Sequence, residues 1–242
     1  MVNDGAYAPC RRQGVRYVAD ACVAVLPTIL QEPALRVHSF TVGPMDNNTY
    51  VVEDEATGAA AVIDPAFGSE RVLAFIQSRG LRLEWVLNTH AHLDHVVLNG
   101  AFVEATGATL AIHPNELPML RATREQASWF GVEPPEFVEP GRLLADGDTV
   151  RVGDAVLDVA HTPGHSAGSV CFVAPGLAIV GDVLFAGSIG RTDLPGGDMD
   201  TLLASIRTQL FTLDPATRVL AGHGPETTVL EERLHNPFVG EA

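Results

Sequence analysis

Residues 89–95 read THAHLDH, placing His90, His92, Asp94 and His95 within seven positions of a chain that has nine histidines in all. Three further side chains of the same chemistry follow at wide spacing: His165 in HTPGHS, Asp182 in IVGDVLF and His223 in AGHGPETT. Imidazole and carboxylate donors without a thiolate suit zinc, iron or manganese. Seven donors exceed the four of one tetrahedral ion. Two ions sharing one carboxylate use all seven and leave room for a water molecule. Two positions apart on an extended segment, His90 and His92 point the same way, and the adjacent pair Asp94 and His95 is free to serve a second ion. A lone histidine is ordinarily solvated or a satisfied core residue, whereas HxHxDH followed by three spaced donors is a strong metal signal.

Each of these donors stands where an apolar run stops, so strands must carry them. LEWVLNT leads into the histidine cluster, AVLDVA precedes His165, LAIV precedes Asp182 and TRVLA precedes His223. Alternation of apolar and polar residues predicts further strands at LRVHSFTV and TYVVED, separated by the turn-like GPMDNN, with AAAVID as a short buried strand. TLAIH, DTVRV and SVCFVA complete the set. Helical spacing of Val72, Leu73, Phe75 and Ile76 predicts a helix with Ser69 as its N-cap and Gly80 as its stop. Other helices are expected over VLNGAFVEATG and DMDTLLASIRTQLFTL, and residues 114–141 read as a helix with surface loops. Two strand-rich halves, each with helices, imply two sheets packed face to face with helices outside.

The bulk properties limit the classes of partner. The 242 residues suit one large domain, and a composition 46% hydrophobic can bury a sizeable core. A formal charge of -15 repels phosphate backbones, which argues against nucleic acid. The three cysteines, Cys10, Cys22 and Cys171, form no disulfide framework or CxxC motif, which points to a reducing, cytoplasmic setting. Cys171 in SVCFVA reads as a buried small residue. No apolar run reaches a membrane span. Residues 1–34 read as an N-terminal extension, with Asp20 interrupting a faintly signal-like stretch, and residues 35–242 as the domain that carries all seven donors.

The stretches THAHLDH, HTPGHSAGS, GDVLF and GHG resemble the metallo-β-lactamase superfamily from about residue 35 to the end. That resemblance implies an α/β fold, an αββα sandwich of two mixed β-sheets flanked by helices. It also implies a dinuclear site, with His90, His92 and His165 on one ion, Asp94, His95 and His223 on the other, and Asp182 between them. It gives Asp64, in VIDPA, the task of steadying the histidine loop. β-Lactamases of this fold typically carry a cysteine at the position of Asp182 and a different residue at His95, and the flavodiiron branch has a glutamate at His92. FAGSIGRTDLPGGDMDTLLASI, GHGPETT and ERLHNPF are similar to single-domain glyoxalase II-like hydrolases.

The activity so implied is thioester hydrolysis by a hydroxide generated between two divalent ions, zinc first, with iron or manganese as alternatives. Asp94 would orient the hydroxide as well as bind metal. Arg191 would receive a substrate carboxylate, or else pair with Asp193. A glutathione assignment meets two departures: Pro225 stands where a tyrosine usually follows the last histidine, and only 19 residues follow His223. The alternatives are a mononuclear Fe(II) persulfide dioxygenase using His90, His165 and Asp182, a lactonase, and a non-enzymatic metal-dependent sensor. The dioxygenases typically have a cysteine shortly before GRTD, where this chain has Ser188 and Ile189. The expected partner is a small thioester or related molecule, with no nucleic acid or membrane and with homo-oligomerisation open.

Overall fold

A computed structural model describes residues 35–241. The N-terminal extension expected over 1–34, with Cys10 and Cys22, lies outside the described residues. The first six strands are β1 (Leu35–Val42), β2 (Asn47–Asp54), β3 (Ala59–Ile63), β4 (Arg82–Leu87), β5 (Thr109–Ile112) and β6 (Arg142–Leu143). They form one sheet in chain order, antiparallel from β1 to β3 and parallel from β3 to β6. The second six-stranded sheet comprises β7 (Thr149–Val152), β8 (Ala155–His161), β9 (Val170–Ala174), β10 (Leu177–Gly181), β13 (Arg218–Ala221) and β14 (Thr227–Thr228). Only its β10–β13 pair is parallel. A short hairpin, β11 (Leu184–Phe185) with β12 (Ser188–Ile189), stands apart.

Why the chain builds two sheets is visible in the side chains that successive residues send to opposite faces. Tyr50, Val52, Ala61 and Ile63 meet Leu157, Val159, Phe172 and Ile179 between the sheets. Their neighbours Val51 and Val62 face outward onto α1 (Glu70–Ser78) and α3 (Asn99–Thr106), packing with Val72, Ile76 and Phe102. On the other side, Cys171, Val180 and Val219 pack against Leu202, Ile206 and Leu210. These last three lie on α6 (Met199–Ser205) and the π-helical turn Ile206–Leu210 that continues it. Central strands are thus buried on both faces, which is why they read as continuous apolar runs. The result is the expected αββα sandwich of two mixed sheets.

Several local expectations need refinement. Ser69 occupies the N-cap position of α1 but makes no capping bond, because its hydroxyl is 2.9 Å from that of Thr49. Gly80 closes that helix at φ 64°, a conformation that side chains rarely adopt. Helix α6 is capped by Asp198, which accepts from the Thr201 amide at 2.8 Å. Residues 114–130 hold a 3-10 turn (Pro114–Glu116), α4 (Leu117–Arg121) and α5 (Thr123–Phe130). A short helix, α2 (Leu93–Val96), interrupts the histidine cluster itself, and α7 (Val229–His235) follows β14.

Candidate metal centre

Both sheets deliver donors to one edge of the sandwich. His90 and His92 follow β4 on extended backbone, and Asp94 and His95 ride on α2. His165 stands in the β8–β9 loop, Asp182 just beyond β10 and His223 just beyond β13. Parallel pairing of β10 with β13 puts the last two side by side. Strand ends on a rigid scaffold hold such groups more firmly than mobile loops do.

All seven sequence-predicted donors converge. Ligand atoms of His90, His92 and His165 lie within 4.8 Å of one another, and so do those of Asp94, His95 and His223. Asp182 lies between the two groups. Its Oδ1 is 3.5 Å from His95 Nε2, and its Oδ2 is 3.9 Å from His165 Nε2 and 3.6 Å from His223 Nε2. Gly222 must be glycine here, since a Cβ would fall 2.2 Å from Asp182 Oδ1 and 2.8 Å from His95 Cε1.

Four of the five imidazoles are held through Nδ1. His165 Nδ1 donates to the Arg191 carbonyl at 2.8 Å, and His223 Nδ1 donates to the Met45 carbonyl at 3.1 Å. His95 Nδ1 faces Asp64 Oδ2 at 3.2 Å. His90 Nδ1 lies 3.0 Å from the Thr89 hydroxyl, whose own proton goes to Asp64 Oδ2 at 2.6 Å. A donor at Nδ1 fixes the tautomer and leaves the Nε2 lone pair free for a cation. His90 Nε2, His92 Nε2 and Asp182 Oδ1 are buried without a hydrogen-bond partner. Buried polar atoms are rarely left so, and a cation beside His90 Nε2 and Asp182 Oδ1 would satisfy them, while His92 turns its Nδ1 toward His165 Nε2, 2.9 Å away. The residues present therefore fit a metal pair.

The two halves differ electrically. Burial, then the neighbouring imidazoles, lower His90, and burial with His165 and His95 brings His92 down to about 4. Both imidazoles are thereby biased to the neutral form, which keeps a lone pair for a cation. In the other half burial alone would keep His95 uncharged, but Asp182 and Asp94 outweigh it and raise His95 well above an ordinary histidine. Burial likewise works against ionised Asp94 and is overcome by His95, His223 and Asn47, so its carboxyl is held far below the usual range. The carboxylates of this half favour a positive charge beside them, as a bound cation would supply.

The supporting residues are partly those expected. Asp64 sits at φ 52°, an unfavourable region for a side chain, with its carbonyl accepting from Thr49 Oγ1 at 2.7 Å. Its carboxylate takes both the Thr89 amide and the Thr89 hydroxyl, so it steadies the histidine loop. Three residues escaped the sequence reading. Asn47 Nδ2 donates to Asp94 Oδ2 at 2.9 Å. Buried Glu116 accepts from the Ala91 and Gly168 amides, both at 2.7 Å, joining the His90–His92 loop to the His165 loop. Gln126 accepts from the Leu93 amide and donates to the Ala91 carbonyl. Asn48 Nδ2 donates to the Ala221 and Gly224 carbonyls. His113 stacks on His161 at 4.1 Å, and His38 pairs with Glu53 at 2.7 Å.

A cavity of about 330 Å³ opens onto the donors. Arg191 stands at its lining, its guanidinium held by both oxygens of Asp193 at 2.7 and 2.8 Å. The expected pairing with Asp193 is thus formed.

Residues 42–223 match the family described as the metallo-beta-lactamase superfamily. The chain belongs to that superfamily and has the metal-dependent hydrolase architecture that defines it. Hydroxyacylglutathione hydrolase GloC of Haemophilus influenzae is 35% identical over 209 residues, covering 85% of this chain and 98% of that protein. Among solved structures, the BLEG-1 B3 metallo-beta-lactamase superposes with a TM-score of 0.78 at 34% identity, over 84% of this chain and 99% of the other. TTHA1623 in a di-iron-bound form gives 0.76 at 40% identity, over 83% and 99%.

Proposed function

We propose that this protein is a dinuclear metal-dependent thioester hydrolase. The observation that carries the reading is the set of imidazoles tethered at Nδ1 around a central Asp182, two donor triads arranged for two ions. Similarity to GloC favours a thioester as substrate, and similarity to the di-iron TTHA1623 favours a metal pair. Two divalent ions bound there supply hydroxide at neutral pH and polarise the acyl oxygen.

The chain's own groups do the rest. Asp94 stays ionised and is aimed by the Asn47 amide, so it can accept a hydrogen bond from the attacking oxygen and hold its direction. The C–S bond breaks as the C–O bond forms, giving a carboxylate and a thiol. Apolar walls around the cavity limit bulk water.

The test is turnover of a thioester panel by zinc-loaded protein beside His92→Ala, with metal content measured on the same samples. Two metals per chain and thioester hydrolysis lost in the variant are expected. Turnover of the β-lactam nitrocefin exceeding that of every thioester would overturn the reading. So would one iron per chain with oxygen uptake on a persulfide.

A further inference from the structure

Outside the metal centre, Gln126 and Arg191 are the charged or amide side chains of the cavity wall, and both already have partners. Gln126 is engaged at both ends, by the Leu93 amide at Oε1 and by the Ala91 and Met119 carbonyls at Nε2. The Arg191 guanidinium, the one Arg or Lys side chain of the lining, gives its Nε and one Nη to the Asp193 carboxylate. What remains is apolar: Met45, Leu93, Trp129, Phe130 and Leu194. Trp129 is 60% exposed and Phe130 43%, so both aromatic rings present uncovered surface at the mouth.

Building on the thioester reading, we infer that the site takes an uncharged thioester whose non-reacting part is apolar or aromatic, and discriminates against glutathione-borne substrates. Two causes act together. Amides and carboxylates of a peptide-like carrier would leave water for a wall that is mostly apolar and offers few donors, and such under-paired groups are costly to bury. The chain's charge of -15 adds a repulsive field against an anionic carrier. An apolar group meets neither cost and covers the exposed rings of Trp129 and Phe130. Asp193 is thereby a specificity residue: it competes for the Arg191 guanidinium, the anchor that a substrate carboxylate would use.

The test separates recognition from catalysis by using thioethers, which cannot be hydrolysed. Calorimetric titration of zinc-loaded protein compares S-benzyl-N-acetylcysteamine, S-methyl-N-acetylcysteamine and S-benzylglutathione. The neutral benzyl compound should bind about ten-fold more tightly than each of the other two. Trp129→Ala should remove most of the benzyl advantage without changing the methyl compound. Asp193→Asn should improve S-benzylglutathione alone. Equal affinity for the benzyl and methyl compounds, or S-benzylglutathione binding as tightly as its neutral counterpart, overturns the inference. Turnover of S-benzoyl-N-acetylcysteamine is measured separately. The expected binding order without turnover would sink the hydrolase reading alone, and preferred hydrolysis of S-D-lactoylglutathione would sink the selectivity alone.

Discussion

Glu116 offers a perturbation whose size follows from the geometry. Its carboxylate is buried and accepts from two backbone amides at 2.7 Å, one 25 residues earlier in the chain and the other 52 later. Glu116→Gln preserves the shape but supplies only one acceptor oxygen. Its NH2 group then faces the second amide, donor against donor. Gly168 packs so closely that even a Cβ there would lie 2.9 Å from Glu116 Cγ, leaving no space for a bridging water. One buried N–H loses its partner, at a cost of about 1–3 kcal/mol. Because the two amides belong to the loops of His90, His92 and His165, the loss should also weaken zinc binding, by about ten-fold or more. Urea denaturation of metal-free protein reads the first quantity and zinc titration against a competing chelator reads the second. Exposed Glu125→Gln is the control. A Glu116→Gln protein that loses under about 0.5 kcal/mol and binds zinc like its parent would refute the clamp.

Other outcomes are equally specific. Gly222→Ala should abolish binding of the second metal while leaving a folded chain by circular dichroism, because its methyl group overlaps Asp182 Oδ1. Two tightly bound metals in that variant would show the placement to be wrong. Burial raises Glu53, but His38 and Arg79 more than offset this and lower its pKa. A lowered carboxyl stabilises the fold above its unfolded pKa and loses that contribution as pH falls through the folded value. Glu53→Gln should therefore cost about 1 kcal/mol near pH 7 and have a shrinking effect below about pH 4. A cost that grows on acidification would contradict the sign. Burial pushes the Cys171 thiol up to about 12. With Cys10 and Cys22 changed to serine, the native protein should resist a thiol-specific disulfide reagent until unfolded, and rapid labelling would count against that burial.

The sandwich was legible because its central strands are apolar on both faces, so AAAVI and LAIVG stand out as runs without needing alternation. The seven donors were legible because each ends such a run. What escaped depends on contacts between distant parts of the chain. Asn47 falls in a DNN stretch that reads as a turn although the residue opens β2, and nothing local shows that Asp94 lies beside it. Glu116, in PNE, reads as a surface acid until two remote amides are seen to cover it. The two-residue strands β6, β11, β12 and β14 are too short to show any period. Arg191 carried two readings in the sequence, and only the fold shows its guanidinium already engaged.

Position 191 has an evolutionary consequence of its own. Its carbonyl holds His165, while its side chain faces the cavity mouth. A codon change alters the side chain alone, since every amino acid carries the same carbonyl. Descendant lineages can therefore explore new substrates through residue 191 and its neighbour at 193 while inheriting the histidine's orientation intact. Divergent selectivity and constant metal chemistry are separately heritable at one site.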